Sequence, residues 1–439
     1  MAQNTAAQQT PFWYNVLLAC LKPLYRWKIK QRAESDVLFQ QECIERFGPF
    51  QPPKNLATIW FHAGSVGETN AAQPLIEHYL KLGHPVLVTN TTKTGQARAK
   101  SLFLKAPYLD LFQAVYLPVD QKALLKRFFN LYQPRLLALV ETEIWPNLIA
   151  EAQQQQIPCI LLNARLSEKS AKGYGKVRRL TQPMLQQLTW LLAQDVATQQ
   201  RYVNLGLDPA KSQVVGNIKF DIAAPEHFVL QAQQLKQEWQ LANRQIMTLA
   251  STHAPEEQSL LKQLQPHLNS NPNLLCIVVP RHPERFDEVY QVCQSLNLKT
   301  QRRSLQQSIQ ADTQVFLADS MGEMWLWYVL SQACFVGGSL NEPGGGHNIL
   351  EPMVLNVPTV IGPRYFNFQT IVDEFVAQQG ILIGENAEQV GQQLLACLED
   401  TAQAQQLVRQ AEQVLQANKG SLQQHIQCLD HYLQQIAAS

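Results

Sequence analysis

The 439-residue sequence lacks the common phosphate-binding signatures. It has no G-x-G-x-x-G followed by a ribose-binding acid about 20 residues on, and no G-x-x-x-x-G-K-[ST], which disfavours a dinucleotide or ATP site. None of its eight cysteines (Cys20, Cys43, Cys159, Cys276, Cys293, Cys334, Cys397, Cys428) forms a C-x-x-C pair. Most lie in apolar runs, as reduced, buried thiols do, so neither zinc nor a disulfide framework is expected. No Asp-x-Asp pair or histidine cluster in the sequence argues for a metal, and no cofactor is expected. Neither charge prevails: the formal net charge is +1 with 16% charged residues. No global field therefore points to nucleic acid, and any basic surface must be local.

Long hydrophobic runs are also missing. The uncharged apolar stretch beginning at Phe12 is about half of the ~20 residues that span a bilayer. No small-residue cleavage site follows it, so a removed signal peptide is not expected. Aromatics at Phe12, Trp13, Tyr14, Tyr25 and Trp27 stand among Lys22, Arg26, Lys28, Lys30 and Arg32. That mixture suits an anionic membrane surface; the alternative is an amphipathic helix packed on its own domain. Residues 1–10 are polar and are expected to be disordered.

What is present is a twice-repeated alternation of short apolar runs and helical patterns, in a chain too long for one core. In the first half the strand runs are 57–62, 85–89, 114–117, 136–140 and 157–162. In the second they are 246–250, 274–279, 314–318, 333–336 and 358–361. Runs of this kind indicate buried parallel sheets, so the expected fold is α/β with two doubly wound units. The predicted division is 1–35 as a membrane-associating segment, 36–222 and 223–410 as the two units, and 411–439 as a helix returning toward the first. Ligands of such sheets sit at the carboxyl ends of the strands, and the polar residues gather there.

Glu68 follows a Gly-Ser-Val-Gly turn at the mouth of a helix, whose positive end should keep it ionised as a proton acceptor; the alternative is a plain first-turn carboxylate. Glu141 and Glu143 would point to opposite faces if the strand continued. Lys219 beside a glycine turn reads as a site cation or a surface lysine. The row Lys169, Lys172, Lys176, Arg178 and Arg179 forms a local positive region. In the second half, Ser251, Arg281, Glu323 and the loop Gly346–Glu351 converge. Arg281 could grip a phosphate or carboxylate, and Glu323 or Glu351 could accept from ribose hydroxyls or a base amino group. The loop Gly344–Gly346 leads into a predicted helix start, with Asn348 and Glu351 spaced as a capping box. Its free N–H groups would suit a phosphate.

Taken in order, His62–Glu68, Glu141–Leu148, Asn163–Ser167, Gly216–Asp221, Val279–Phe286 and Gly345–Asn348 resemble the Kdo (3-deoxy-D-manno-octulosonic acid) transferases of lipopolysaccharide assembly. The likeness covers roughly residues 12–435. It implies a GT-B-type glycosyltransferase, two Rossmann-like domains facing a cleft, closing by hinge motion near 220–225. The implied reaction moves Kdo from CMP-Kdo to lipid IVA with inversion, at the cytoplasmic side of the cell inner membrane. It also implies Glu68 as general base, and Glu141 and Lys219 as transition-state stabilisers. Pro280, Arg281, Met321, Gly322, Glu323, Asn348, Ile349, Leu350 and Glu351 fall on the CMP-binding segments. A UDP-sugar-dependent glycosyltransferase or epimerase of this fold, and a noncatalytic lipid-binding scaffold, are the alternatives.

Overall fold

The computed structural model describes residues 10–33, 37–56 and 58–438. Residues 1–9, the bulk of the stretch expected to be disordered, lie outside the described residues. The chain divides into two compact units, Met1–Asp221 with Asn418–Ser439, and Ile222–Ala417.

The first unit is a seven-stranded parallel sheet. Its strands are β1 (Ile59–His62), β2 (Val86–Asn90), β3 (Phe112–Tyr116), β4 (Leu136–Val140), β5 (Cys159–Ala164), β6 (Trp190–Ala193) and β7 (Ser212–Val214), in the order β3-β2-β1-β4-β5-β6-β7. Side chains alternate between faces. Trp60, Leu87, Leu137 and Leu139 join the core on one side, and Ile59, Phe61, Val86, Val88, Leu136 and Ala138 that on the other. The second core also holds Ile426 and Leu429 of the helix Ser421–Ala438. That helix docks on the helix Val66–Lys81 through the Tyr79 hydroxyl, which donates to Asp430 at 2.8 Å.

The second unit repeats the plan. Its strands are β8 (Gln245–Thr252), β9 (Leu274–Pro280), β10 (Thr300–Arg302), β11 (Val315–Leu317), β12 (Ala333–Val336), β13 (Thr359–Ile361) and β14 (Leu382–Ile383), in the order β10-β11-β9-β8-β12-β13-β14. All pairings are parallel. The chain order reverses between β1 and β4, and between β8 and β12, which is where a doubly wound sheet opens a crevice.

Four strands lie outside the runs expected from sequence. β7, β10 and β14 have two or three residues each and are partly exposed, too short for a period to show. β6 is a four-residue apolar run, which periodicity cannot separate from buried helix.

The helix Phe12–Ala33 is held to the first unit on one side. Tyr14 donates to Asp120 at 2.7 Å, Asn147 donates to Asn15, and Ile29 is buried. Phe12, Trp13, Val16, Leu17, Leu21, Leu24 and Trp27 remain exposed. Among the described residues no helix is long and apolar enough to cross a membrane.

Candidate functional site

The crevice of the first sheet carries the acidic cluster. Ser65 caps the helix Val66–Lys81 in a reciprocal capping box: Glu68 N donates to Ser65 Oγ at 3.3 Å, and Ser65 N donates to Glu68 Oε2 at 2.9 Å. The S-x-x-E spacing 65–68 carried this signal in the sequence. Gly64 has no room for a side chain, since a Cβ would lie 2.7 Å from Thr91 Oγ1 and 2.8 Å from Glu143 Cδ. Glu68 is 9% exposed. Burial, then the Glu143 and Glu141 charges, raise its pKa from 4.5 to about 7, against the Ser65 N–H and His62. Desolvation thus works against the helix end expected to keep Glu68 ionised and brings its titration near neutrality.

Glu141 has φ +58°, so the chain leaves the extended conformation there. Glu141 and Glu143 do not diverge to opposite faces; both charges act on Glu68. Glu141 Oε1 is 2.6 Å from Lys219 Nζ, which decides Lys219 in favour of an ion-paired cation at the strand ends. Glu143 Oε2 is 2.9 Å from His62 Nε2 and accepts from Trp145 Nε1 at 3.0 Å. Burial opposes ionisation of Glu143, but the contacts to His62 and Trp145 outweigh it and lower the pKa. His62 is fully buried, its other ring nitrogen 2.9 Å from Thr89 Oγ1.

Lys219 is positioned from the chain's far end. Its short 3-10 helix, Ile218–Phe220, has Ile218 N donating to Asn163 Oδ1 at 3.1 Å. Asn163 N in turn donates to Nε2 of the buried His425 at 2.9 Å, and His425 Nδ1 is 2.7 Å from the Ser421 carbonyl. This sets the tautomer: Nδ1 carries the proton and Nε2 accepts. Asp221 accepts from Gly420 N and Leu422 N, capping the last helix. His425 carries no signal in the sequence, because a lone histidine on an amphipathic helix does not reveal its partner.

The row Lys169, Lys172, Lys176, Arg178 and Arg179 is exposed on two short helices, Glu168–Lys176 and Arg178–Gln186.

In the second unit the strand ends present, along the sheet, Glu323 after β11, Arg281 after β9, His253 after β8, the glycine-rich loop after β12 and Arg364 after β13. Pro280 ends β9 and is buried, while Arg281, Met321 and Gly322 are exposed. Glu323 is gripped by Arg303 at 2.7 and 3.1 Å and by the Ser320 hydroxyl. Burial works against its ionisation, but Arg303 and Ser320 prevail and lower its pKa.

The glycine-rich loop corrects two expectations. The expected phosphate site is the helix start after Gly344–Gly346, and there Leu350 N already donates to Asn348 Oδ1; earlier in the loop, Gly338, Ser339 and Leu340 N donate at 2.8–3.0 Å to Glu256, which also accepts from His253 N. The helix that follows, Leu350–Val354, has five residues. Asn348 and Glu351 form no capping box: Asn348 Oδ1 accepts from Leu350 N, and its amide donates to Glu351 at 3.2 Å. Ile349 and Leu350 are buried. The fold also assembles a histidine group invisible in the sequence, His253, His282 and His347. Among the described residues no side-chain group is set to hold a metal.

The family model of 3-deoxy-D-manno-octulosonic-acid transferase (kdotransferase) matches residues 41–222. A 3-deoxy-D-manno-octulosonic acid transferase of Haemophilus influenzae is 36% identical over 432 residues, 96% of this chain and 99% of that protein. The solved C-terminal CMP-Kdo binding domain of WaaA from Acinetobacter baumannii is 68% identical, covering 44% of this chain and 100% of that one, with TM-score 0.43. A glycosyltransferase from Rickettsia africae shares the fold at 15% identity and TM-score 0.50, covering 86% of this chain and 99% of that one. Two doubly wound parallel sheets with such relatives define a glycosyltransferase of the GT-B type. Within that class the chain belongs to the 3-deoxy-D-manno-octulosonic acid transferase family.

Proposed function

We propose that this enzyme moves Kdo from CMP-Kdo to lipid IVA, with inversion, at the cytoplasmic side of the inner membrane. The observation that carries the reading is a buried carboxylate, Glu68, with raised proton affinity, in the same crevice as the Lys219–Glu141 pair, within this family. Ionised Glu68 takes the proton of the acceptor hydroxyl, and a base near neutrality suits that task. The hydroxyl oxygen bonds to the anomeric carbon of Kdo as the bond to the phosphate oxygen of CMP breaks. The electron pair leaves with CMP, so the centre inverts in one displacement. Lys219, oriented by Glu141, stabilises charge developing at the reacting centre. Arg281, with Pro280, Met321–Glu323 and Asn348–Glu351, forms the donor side. The exposed basic row 169–179 suits a phosphorylated acceptor, and the apolar side of Phe12–Ala33 suits a lipid surface.

The test is mass spectrometry of lipid IVA incubated with CMP-Kdo and the purified protein. The expected product is the Kdo adduct, with its formation inhibited by CMP and not by UDP. Inhibition by UDP alone would favour a UDP-sugar donor, and no adduct under either donor would favour a lipid-binding scaffold.

A further inference from the structure

The crevice of the second sheet holds unclaimed chemistry. His253 follows β8, His282 follows β9, and His347 ends the glycine-rich loop after β12. Nε2 of His253 and Nε2 of His347 are 2.8 Å apart, with the rings parallel to within 10°. The His282 ring stands edge-on to His253, with centroids 4.9 Å apart. Gly338, at φ +68°, lies directly against the pair: a Cβ there would be 3.0 Å from the His347 ring. Arg281 is exposed beside them. The N–H groups of Gly338, Ser339 and Leu340 are held by Glu256. An anion arriving here therefore meets side chains in place of that stretch of backbone.

The contact between the two imidazoles fixes a proton count. A hydrogen bond between two Nε2 atoms needs a proton on one and a lone pair on the other. An oxyanion brings only acceptors. The pair becomes a double donor once it takes up a second proton: the accepting Nε2 becomes N–H, the imidazole–imidazole bond opens, and both N–H groups turn to the anion. We propose that His253 and His347, with Arg281, form the subsite for the phosphate of the cytidine donor, and that donor binding takes up a proton at this histidine pair. The inference rests on the CMP-Kdo reading given above.

The charges around the pair agree. Burial first, then the His282, Arg281 and Arg285 charges, lower the pKa of His253, with Glu257 opposing. Burial, His253, Arg281 and His282 lower that of His347 to about 4. Without ligand the pair is neutral near pH 7, and a phosphate supplies the opposite charge that admits the extra proton.

The experiment is calorimetry of CMP binding to the full chain at pH 7.5, in two buffers of different ionisation enthalpy. The expected result is uptake of about one proton per CMP, with affinity falling up to about tenfold per pH unit as pH rises from 7 to 9. Cytidine, lacking phosphate, should bind with no uptake. In His347→Gln and His253→Gln the uptake should vanish, and CMP affinity should drop roughly tenfold or more. CMP binding without proton uptake by the unaltered protein would overturn the inference while leaving the transfer reaction, judged by its product, intact. Uptake that persists in both variants would also overturn it. No CMP binding at all would remove both the subsite and the donor assignment.

Discussion

Glu68 has two measurable consequences at the scale of the single residue. As the base it must be ionised, so kcat/KM should rise with pH through a limb near 7, and Glu68→Ala should lose on the order of 10²–10⁴ in kcat with CMP affinity unchanged. Between 4.5 and about 7 the folded chain holds a proton that the unfolded chain has released. Its contribution to stability therefore declines as pH rises through that window. Glu68→Gln keeps a cap acceptor and removes the titration. The melting temperature of that variant relative to the unaltered protein should climb from pH 5 to 8; a flat difference would contradict the raised proton affinity. The residues at this site were legible in the sequence as motif positions at strand ends. Their charge states were not, because these depend on Glu143, more than 70 positions along the chain from Glu68, and on burial that only the folded sheet supplies.

At the scale of the element, the last helix is a positioning device. Replacing His425 with Met leaves the buried Asn163 N–H unpaired, a loss of about 1–3 kcal/mol, and loosens the Ile218–Phe220 turn that carries Lys219. Kcat should fall with little change in KM for the donor, and His425→Gln, whose carbonyl can accept from Asn163, should restore much of the loss. In a Lys219→Ala background the Met variant should lower kcat no further. A KM effect equal to the kcat effect would count against the positioning role. The first helix is tested separately. If the proposed lipid contact holds, each apolar side chain buried there contributes up to ~1.5–3 kcal/mol, so Leu17, Leu21, Leu24 and Trp27 all changed to Ser should abolish vesicle binding and spare CMP binding. Strands and helices with clear periodicity were readable in advance. The short edge strands β7, β10 and β14 were not, since two or three half-exposed residues carry no period. The Asn348–Glu351 spacing misled because the helix begins one residue later, with Ile349 at the N-cap, so that Glu351 falls at its second and not its third position.

At the scale of the molecule, both sheets place their polar groups where the strand order reverses, which is why a reading of strand ends located the candidate residues of each half. Stability of the first unit should be inseparable from the last helix. Leu429 is fully buried in that unit's core, and Leu429→Ala should cost ~2–5 kcal/mol, read as an early unfolding transition in calorimetry. Binding of CMP to the second unit below that transition should be unaffected.

The closing segment, Asn418–Ser439, belongs to a body whose other residues are made first, with nearly two hundred residues of the second unit intervening. On the ribosome the opening sheet must therefore wait with the Ile59, Phe61 and Tyr79 side of its core uncovered until the final turns emerge. Ribosome-bound chains arrested before residue 418 should bind trigger-type chaperones over this face, and release should follow translation of the final helix.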